Sequence, residues 1–121
     1  MLKVLQNLEP RFEKAKNFIY EELDEINEVV FIREGTVDVG FKINRIAKYA
    51  IRFTNEHQNN VRAFAIGSYN CLYGLRSRFI YKCQSDCEGY SIRKPIWIEI
   101  VGEDDEINAY VRQNCKFEYD S

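Results

Sequence analysis

Polar and apolar residues alternate along much of this chain, which is the pattern of β-strands with one buried face. The alternation is clearest over residues 36–43 and 48–54. The side chains predicted to face inward there are Val37, Val39, Phe41, Ile43, Tyr49, Ile51 and Phe53. Segments rich in β-branched and aromatic residues predict further strands at 17–20, 28–33, 61–66, 78–82 and 88–93. We therefore expect about seven or eight short antiparallel strands.

Glycine and proline mark the predicted ends of these elements. Glu34-Gly35 predicts a hairpin turn between strands 28–33 and 36–43, because glycine readily takes a positive φ. Pro10 ends a short apolar helix over residues 2–8. Pro95 fits the first turn of a helix that begins at 96 and reaches Gly102, and a last helix follows, so that helical structure covers residues 96–119.

Hairpin-linked strands followed by helices predict a mainly β domain with flanking α-helices, an antiparallel β-roll of jelly-roll type. The chain has 121 residues and a mass of 14.4 kDa, which suits one domain. No linker rich in glycine, serine or proline and no internal repeat divides it. We expect a single domain over residues 1–121, with the roll spanning 17–94.

Hydropathy and charge exclude several classes of partner. The longest apolar segment, 96–101, is interrupted by Glu99 and falls far short of the ~20 residues of a membrane span, so we expect no membrane contact by this chain itself. A net charge of −2 predicts no nucleic-acid partner. Eight basic residues against one acidic residue lie between 41 and 82, which indicates either solvated strand faces or a region that attracts a small anion.

The residue types needed for catalysis or metal binding are scarce. The four cysteines do not form a disulfide framework at this length, so reduced thiols are expected. His57, the single histidine, lies in a polar loop. A zinc site or a cupin-type metal set would therefore lack ligands, and a nucleophile–base pair would lack a base near a serine or cysteine. The acidic turn at 21–25 lacks calcium-loop spacing, and no phosphate-loop or dinucleotide fingerprint occurs. We expect a protein that is not an enzyme and that holds no metal.

Two blocks of sequence carry a family resemblance. Residues 19–39 join an acidic turn to a Val-Val-Phe-Ile strand and a glycine, and residues 66–69 read Ile-Gly-Ser-Tyr, with Arg76-Ser77 further on. This order resembles the cyclic-nucleotide-binding domain of catabolite activators, kinase regulatory subunits and cation channels. The resemblance implies a phosphate-binding cassette in which helix amides and an arginine bind the cyclic phosphate and a glutamate binds the ribose. The corresponding candidates for binding cAMP or cGMP are Gly67, Ser68, Tyr69, Asn70, Cys71, Arg76 and Ser77.

The cassette departs from the family at its centre. Tyr69, Asn70 and Cys71 fill the family's Phe-Gly-Glu positions, so the ribose glutamate is missing. The stretch onward to Arg76, the expected phosphate arginine with Arg78 as substitute, is several residues short and predicts little room for a cassette helix. Loss of one charge-assisted bond costs ~1.5–3 kcal/mol, which predicts weak or lost ligand binding.

The resemblance also implies a cellular setting. Residues 85–94, before Trp97, look more like a channel's domain than a kinase subunit's. We therefore expect a cytosolic regulatory domain of a cation channel of the potassium type, on the cytoplasmic side of a membrane protein, with other channel subunits as partners. Two alternatives stay open: a ligand-free interaction or assembly domain of the same fold, and a non-channel module that responds to cyclic nucleotides.

Overall fold

The computed structural model describes residues 6–55 and 64–103, together with residues 106 and 109. The predicted positions before residue 6, His57, Cys115 and nearly all of the helix predicted after Gly102 lie outside these residues. The described elements are β1 (Glu9–Glu13), β2 (Phe18–Tyr20), β3 (Glu28–Ile43), β4 (Ile46–Asn55), β5 (Phe64–Ile66), α1 (Ser68–Tyr73), β6 (Ile80–Cys83), β7 (Cys87–Arg93) and α2 (Lys94–Glu103).

Strand β3 organises the roll because each of its halves belongs to a different sheet. The first half pairs with β7 on one edge and β5 on the other, and the second half pairs with β6 and β4. All of these pairings are antiparallel. The predicted hairpin at Glu34-Gly35 is therefore wrong, since the chain continues as one strand of 16 residues. Gly35 has φ 128° at the point where the strand passes between sheets.

The turn that does fold β3 back onto β4 lies at Asn44-Arg45. These residues have φ 52° and 67°, so both occupy the left-handed region that a two-residue hairpin requires. Asparagine tolerates this region better than most residues, whereas arginine adopts it at some cost.

The roll begins earlier in the chain than residue 17. Strand β1 pairs with β7, placing Pro10 opposite Tyr90 at one end of the strand order. Proline is tolerated there because an edge strand leaves some of its N–H positions outside the ladder. Helix α2 likewise begins at Lys94 rather than at residue 96.

Both sheets and α2 contribute to one hydrophobic core. The buried side chains include Val29, Val30, Ile32, Val37, Val39, Ile66, Ile92, Trp97, Ile100 and Val101. The predicted inward positions of β4 are wrong in part, because Tyr49 and Ile51 are 37% and 40% exposed. The end of the β3–β4 hairpin extends beyond the core, and Phe41 and Ile43 are exposed there as well.

The architecture confirms the predicted fold class, a mainly β antiparallel roll with short helices. Within the part of the chain that the structure describes, no helix has the length and apolar character needed to cross a bilayer.

Candidate functional site

Helix α1 occupies the position of the predicted cassette and is bounded by two glycines. Gly67 precedes it with φ 86°, and Gly74 follows it with φ 65°. The left-handed conformation at both ends lets the chain enter and leave a six-residue helix abruptly. The prediction that the short cassette leaves little room for a helix is therefore wrong. A Cβ at Gly67 would lie 2.7 Å from the Cγ2 of Ile26, so α1 packs closely on the acidic turn.

The two central side chains of the cassette, Asn70 and Cys71, are buried and form hydrogen bonds within the protein. Asn70 is 2% exposed, and its Nδ2 donates to the carbonyl oxygen of Arg76 at 3.0 Å. Cys71 is fully buried, and its thiol donates to the carbonyl oxygen of Ile26 at 3.5 Å. Burial raises the pKa of Cys71 to about 12. The side chains at the family's Gly-Glu positions thus stabilise the loop and the turn around α1.

The first residues of α1 face the core and helix α2. Ser68 is fully buried, and its carbonyl oxygen accepts the indole N–H of Trp97 at 2.9 Å. Its Oγ has no hydrogen-bond partner among the described residues, a costly arrangement for a buried hydroxyl. Tyr69 is half-buried, and its ring centroid lies 4.5 Å from that of Tyr73.

Arg76 lies against the acidic turn. Its Nη1 donates to the carbonyl oxygen of Leu23 at 2.9 Å, and its Nη2 lies 3.3 Å from Oε1 of Glu25. Both charged side chains are more than half exposed, so the pair is solvated and contributes little to stability. Arg78, the substitute candidate, lies with its guanidinium 5.7 Å from the ring centroid of Phe79.

Ser77 fixes this loop by backbone pairing. Its N–H donates to the carbonyl oxygen of Asp24 at 2.9 Å, and its own carbonyl oxygen accepts the N–H of Leu23 at 2.8 Å. Its buried hydroxyl donates to the carbonyl oxygen of Phe79 at 2.7 Å. The loop after α1 and the acidic turn therefore form a small hydrogen-bonded unit that holds Arg76 at the surface.

A cavity of about 250 Å³ lies beside Arg76. It is lined by Glu25, Ile26, Asn27, Gly74, Leu75, Arg76 and Lys94. The lining combines the Arg76–Glu25 pair with the C-terminal end of α1, and it includes neither Ser68 nor Asn70 nor Cys71. The predicted phosphate arginine and the first residues of the cassette helix thus do not line this cavity together.

Sequence reasoning missed two contacts of the cassette. The partners of Arg76 come from the acidic turn, and no local pattern pointed to them, because Glu25 lies 51 residues away in the chain. The bond between Trp97 and Ser68 had no local signal, because 29 residues separate the two positions.

No protein-family model and no curated protein sequence matches this chain. Solved structures do match it in fold. One is the regulatory subunit of a cAMP-independent protein kinase A from Trypanosoma cruzi bound to guanosine, with TM-score 0.73, 16% identity, and coverage of 96% of this chain and 38% of that one. Another is the regulatory domain of Toxoplasma gondii PKA with cAMP, with TM-score 0.67, 12% identity, and coverage of 79% and 34%.

A third is a mutant form of a cAMP-binding acyltransferase from Mycobacterium smegmatis, with TM-score 0.63, 12% identity, and coverage of 76% and 27%. This chain therefore spans between a quarter and two-fifths of the length of these three neighbours. At such identities the likeness establishes the fold alone, which is the β-roll of cyclic-nucleotide-binding domains.

Proposed function

We propose that this chain is a regulatory domain whose phosphate cassette no longer binds cyclic nucleotides tightly, and which acts through contacts with the rest of its assembly. The observation that carries the proposal is the burial of Asn70 and Cys71. Their exposures are 2% and 0%, and both side chains are hydrogen-bonded to carbonyl groups of the protein itself.

The chemistry at these positions suits an internal role. A thiol whose pKa lies at about 12 stays neutral at pH 7 and is a weak donor, so Cys71 does not replace the charged acceptor that a ribose hydroxyl requires. The absence of that bond costs ~1.5–3 kcal/mol, or roughly ten- to a hundredfold in affinity. In addition, two N–H groups of Arg76 already donate hydrogen bonds to Leu23 and Glu25, so they are not available to a phosphate while those bonds persist.

Thermal unfolding with and without about 1 mM cAMP or cGMP tests the proposal. A ligand at about 100 times its Kd adds ~2.7 kcal/mol of stability, which is a shift of several degrees for a domain of this size. We expect no shift for the native chain or for Arg76→Ala, which removes an exposed side chain. A clear shift in the native chain that Arg76→Ala abolishes would show a working phosphate site and contradict the proposal.

A nucleoside without a phosphate is the second candidate ligand. It is favoured by the Trypanosoma cruzi neighbour, which was bound to guanosine. The same thermal unfolding experiment with guanosine at equal concentration distinguishes a nucleoside ligand from a cyclic nucleotide. Stabilisation by guanosine that persists in Arg76→Ala supports a nucleoside site, since no phosphate arginine is then involved.

We further propose that the assembly is a cation channel of the potassium type and that the domain lies on its cytoplasmic side. The support is the sequence of residues 85–94, before Trp97, which resembles that of a channel's domain. A non-channel regulatory module is also compatible with neighbours that include kinase regulatory subunits and an acyltransferase. Sequencing the full-length transcript decides between a channel and a non-channel module, because a channel requires apolar spans of ~20 residues in the same polypeptide.

A further inference from the structure

Cys83 and Cys87 form a pair of thiols at the turn between β6 and β7. Cys83 is the last residue of β6, Cys87 is the first residue of β7, and three residues separate them. Both are buried, with exposures of 0% and 1%. The two thiols are hydrogen-bonded to each other, whereas the buried Cys71 lies in α1 and bonds to Ile26.

The two thiols differ in their surroundings. The thiol of Cys87 donates to the carbonyl oxygen of Ser85 at 3.4 Å, and a side-chain hydrogen bond joins Cys87 to Cys83. The bond from Cys83 lowers the pKa of Cys87, and the same bond together with burial raises the pKa of Cys83. We assign the attack on an electrophile to Cys87 because its sulfur lies against two residues that line a cavity, Thr36 and Ser85, and Cys83 beside it is the second thiol.

A cavity lies close to Cys87. It has a volume of about 400 Å³, and its lining includes Gly35, Thr36, Ser85 and Asp86. The sulfur of Cys87 contacts the carbonyl oxygens of Thr36 and Ser85 at 3.6 and 3.4 Å, so it lies directly beneath this lining. A Cβ at Gly35 would lie 2.6 Å from the same sulfur, so the covering layer is thin because residue 35 has no side chain.

Each residue of the covering turn, 84–86, is hydrogen-bonded to a neighbouring segment. The N–H of Thr36 donates to Oγ of Ser85 at 2.9 Å, the N–H of Gln84 donates to the carbonyl oxygen of Thr36 at 2.8 Å, and the N–H of Ala15 donates to Oδ1 of Asp86 at 2.9 Å. Gln84 and Asp86 are exposed.

We propose that Cys83 and Cys87 are a redox-active dithiol, which peroxides oxidise to an intrachain disulfide. The thiolate of Cys87 attacks one oxygen of hydrogen peroxide and becomes a sulfenic acid, while the O–O bond breaks and the released hydroxide takes a proton to become water. The sulfur of Cys83 then attacks the sulfenic sulfur, and the departing hydroxide leaves with the proton of Cys83 as a second water. Two thiols and one peroxide thus yield one disulfide and two waters, and an excess of a thiol reductant reverses the reaction.

Digestion with trypsin gives a direct readout, because cleavage after Lys82 and Arg93 releases one peptide, residues 83–93, that carries both cysteines. The reduced full chain is treated with hydrogen peroxide, blocked with a maleimide under denaturing conditions, digested and weighed by mass spectrometry. We expect the 83–93 peptide to lose two hydrogen atoms and to escape blocking at both sulfurs. The peptide that carries Cys71 is the internal reference and should stay fully blocked.

Two serine variants assign the roles. In Cys83→Ser the resolving thiol is absent, so the sulfenic acid on Cys87 should accumulate and be trapped by dimedone. In Cys87→Ser we expect Cys83 to oxidise at least about tenfold more slowly than Cys87 does in the native chain, because Cys83 is fully buried and burial favours its protonated form. Circular dichroism checks that both variants fold, and the native-chain result stands without them. An 83–93 peptide that keeps two blocked sulfurs, or that oxidises no faster than the Cys71 peptide, would overturn the proposal.

Discussion

Trp97 donates its indole N–H to the carbonyl oxygen of Ser68 at 2.9 Å, and this bond joins helix α2 to the first residue of helix α1. The Trp97 side chain is 2% exposed, and its ring meets that of Phe31 edge-on, with centroids 6.0 Å apart. A displacement of either helix therefore strains the other, so the cassette helix and the helix that follows the roll are mechanically coupled.

We expect Trp97→Phe to lower the free energy of unfolding by about 1–2 kcal/mol, because it removes the bond to Ser68 and part of a buried ring. Trp97→Ala should cost ~3–5 kcal/mol. Ile98→Ala is the matched control on the same helix: its side chain is 41% exposed, and the change should stay within ~0.5 kcal/mol. Urea denaturation measures all three, and equal stability of Trp97→Phe and the native chain would refute the coupling.

Two glycines should respond in opposite ways to alanine. A Cβ at Gly89 would overlap the carbonyl oxygen of Phe31 on the neighbouring strand β3, so Gly89→Ala should separate the strands and destabilise the roll by more than about 2 kcal/mol, on the order expected for overpacking. A Cβ at Gly102, in α2, meets nothing within 4 Å among the described residues. Gly102→Ala should therefore stabilise the protein by ~0.5–1 kcal/mol. Thermal melts of the two variants check the contrast in sign.

Asp38 and Arg52 face each other across β3 and β4 and form two hydrogen bonds, at 2.7 and 3.1 Å. The Asp38 side chain is 6% exposed, so Arg52→Ala leaves a buried carboxylate without its cation. Arg93 is the control, since its exposure of 67% is close to the 64% of Arg52 but its partner Glu9 is 50% exposed.

We therefore expect a clear drop in melting temperature for Arg52→Ala and almost none for Arg93→Ala. Adding Asp38→Asn to Arg52→Ala should recover part of the loss, because it removes the buried charge. Similar melting temperatures for the two single arginine variants would argue against this account.

Stability should fall in alkaline solution. Burial raises the pKa of Cys71 from 9.0 to about 12, and burial likewise raises the pKa of Tyr20 from 10.0 to about 12. The folded chain thus keeps protons that the unfolded chain loses, so these two groups give their full contribution below about pH 9 and lose it as pH rises toward 12. Urea melts at about pH 7.5, 9.5 and 10.5 measure this decline. Cys71→Ala should flatten it, and an unchanged slope in that variant would contradict the assignment.

Much of the sheet was predictable from alternation, but the strand connections were not. Residues 36–43 and 48–54 both lie in strands as the pattern indicates. The hairpin predicted at Gly35 was wrong because a hairpin and a crossing between two sheets both use a positive φ at glycine. Which of them forms depends on β6 and β7, roughly 50 residues further along the chain.

In the candidate site, too, a local feature was predictable from sequence and the long-range contacts were not. Gly67 marked the start of the cassette from sequence alone, and it is left-handed in the structure. The surroundings of Arg76 were not predictable, because its partner Glu25 lies 51 residues away in the chain. The burial of the Cys71 thiol depends likewise on Ile26, which lies 45 residues earlier in the chain.

The long shared strand also sets the order in which the protein can form during synthesis. The first half of β3 finds its partners only in β5 and β7, and β1 pairs with β7 alone among the described strands. A nascent chain that has not yet reached β7 therefore has unpaired edges on both β1 and β3, although β3 can already pair with β4, β5 and β6. Premature termination or a proteolytic cut before Arg93 thus releases two strands at once, and their exposed edges are the expected targets for chaperones and for aggregation.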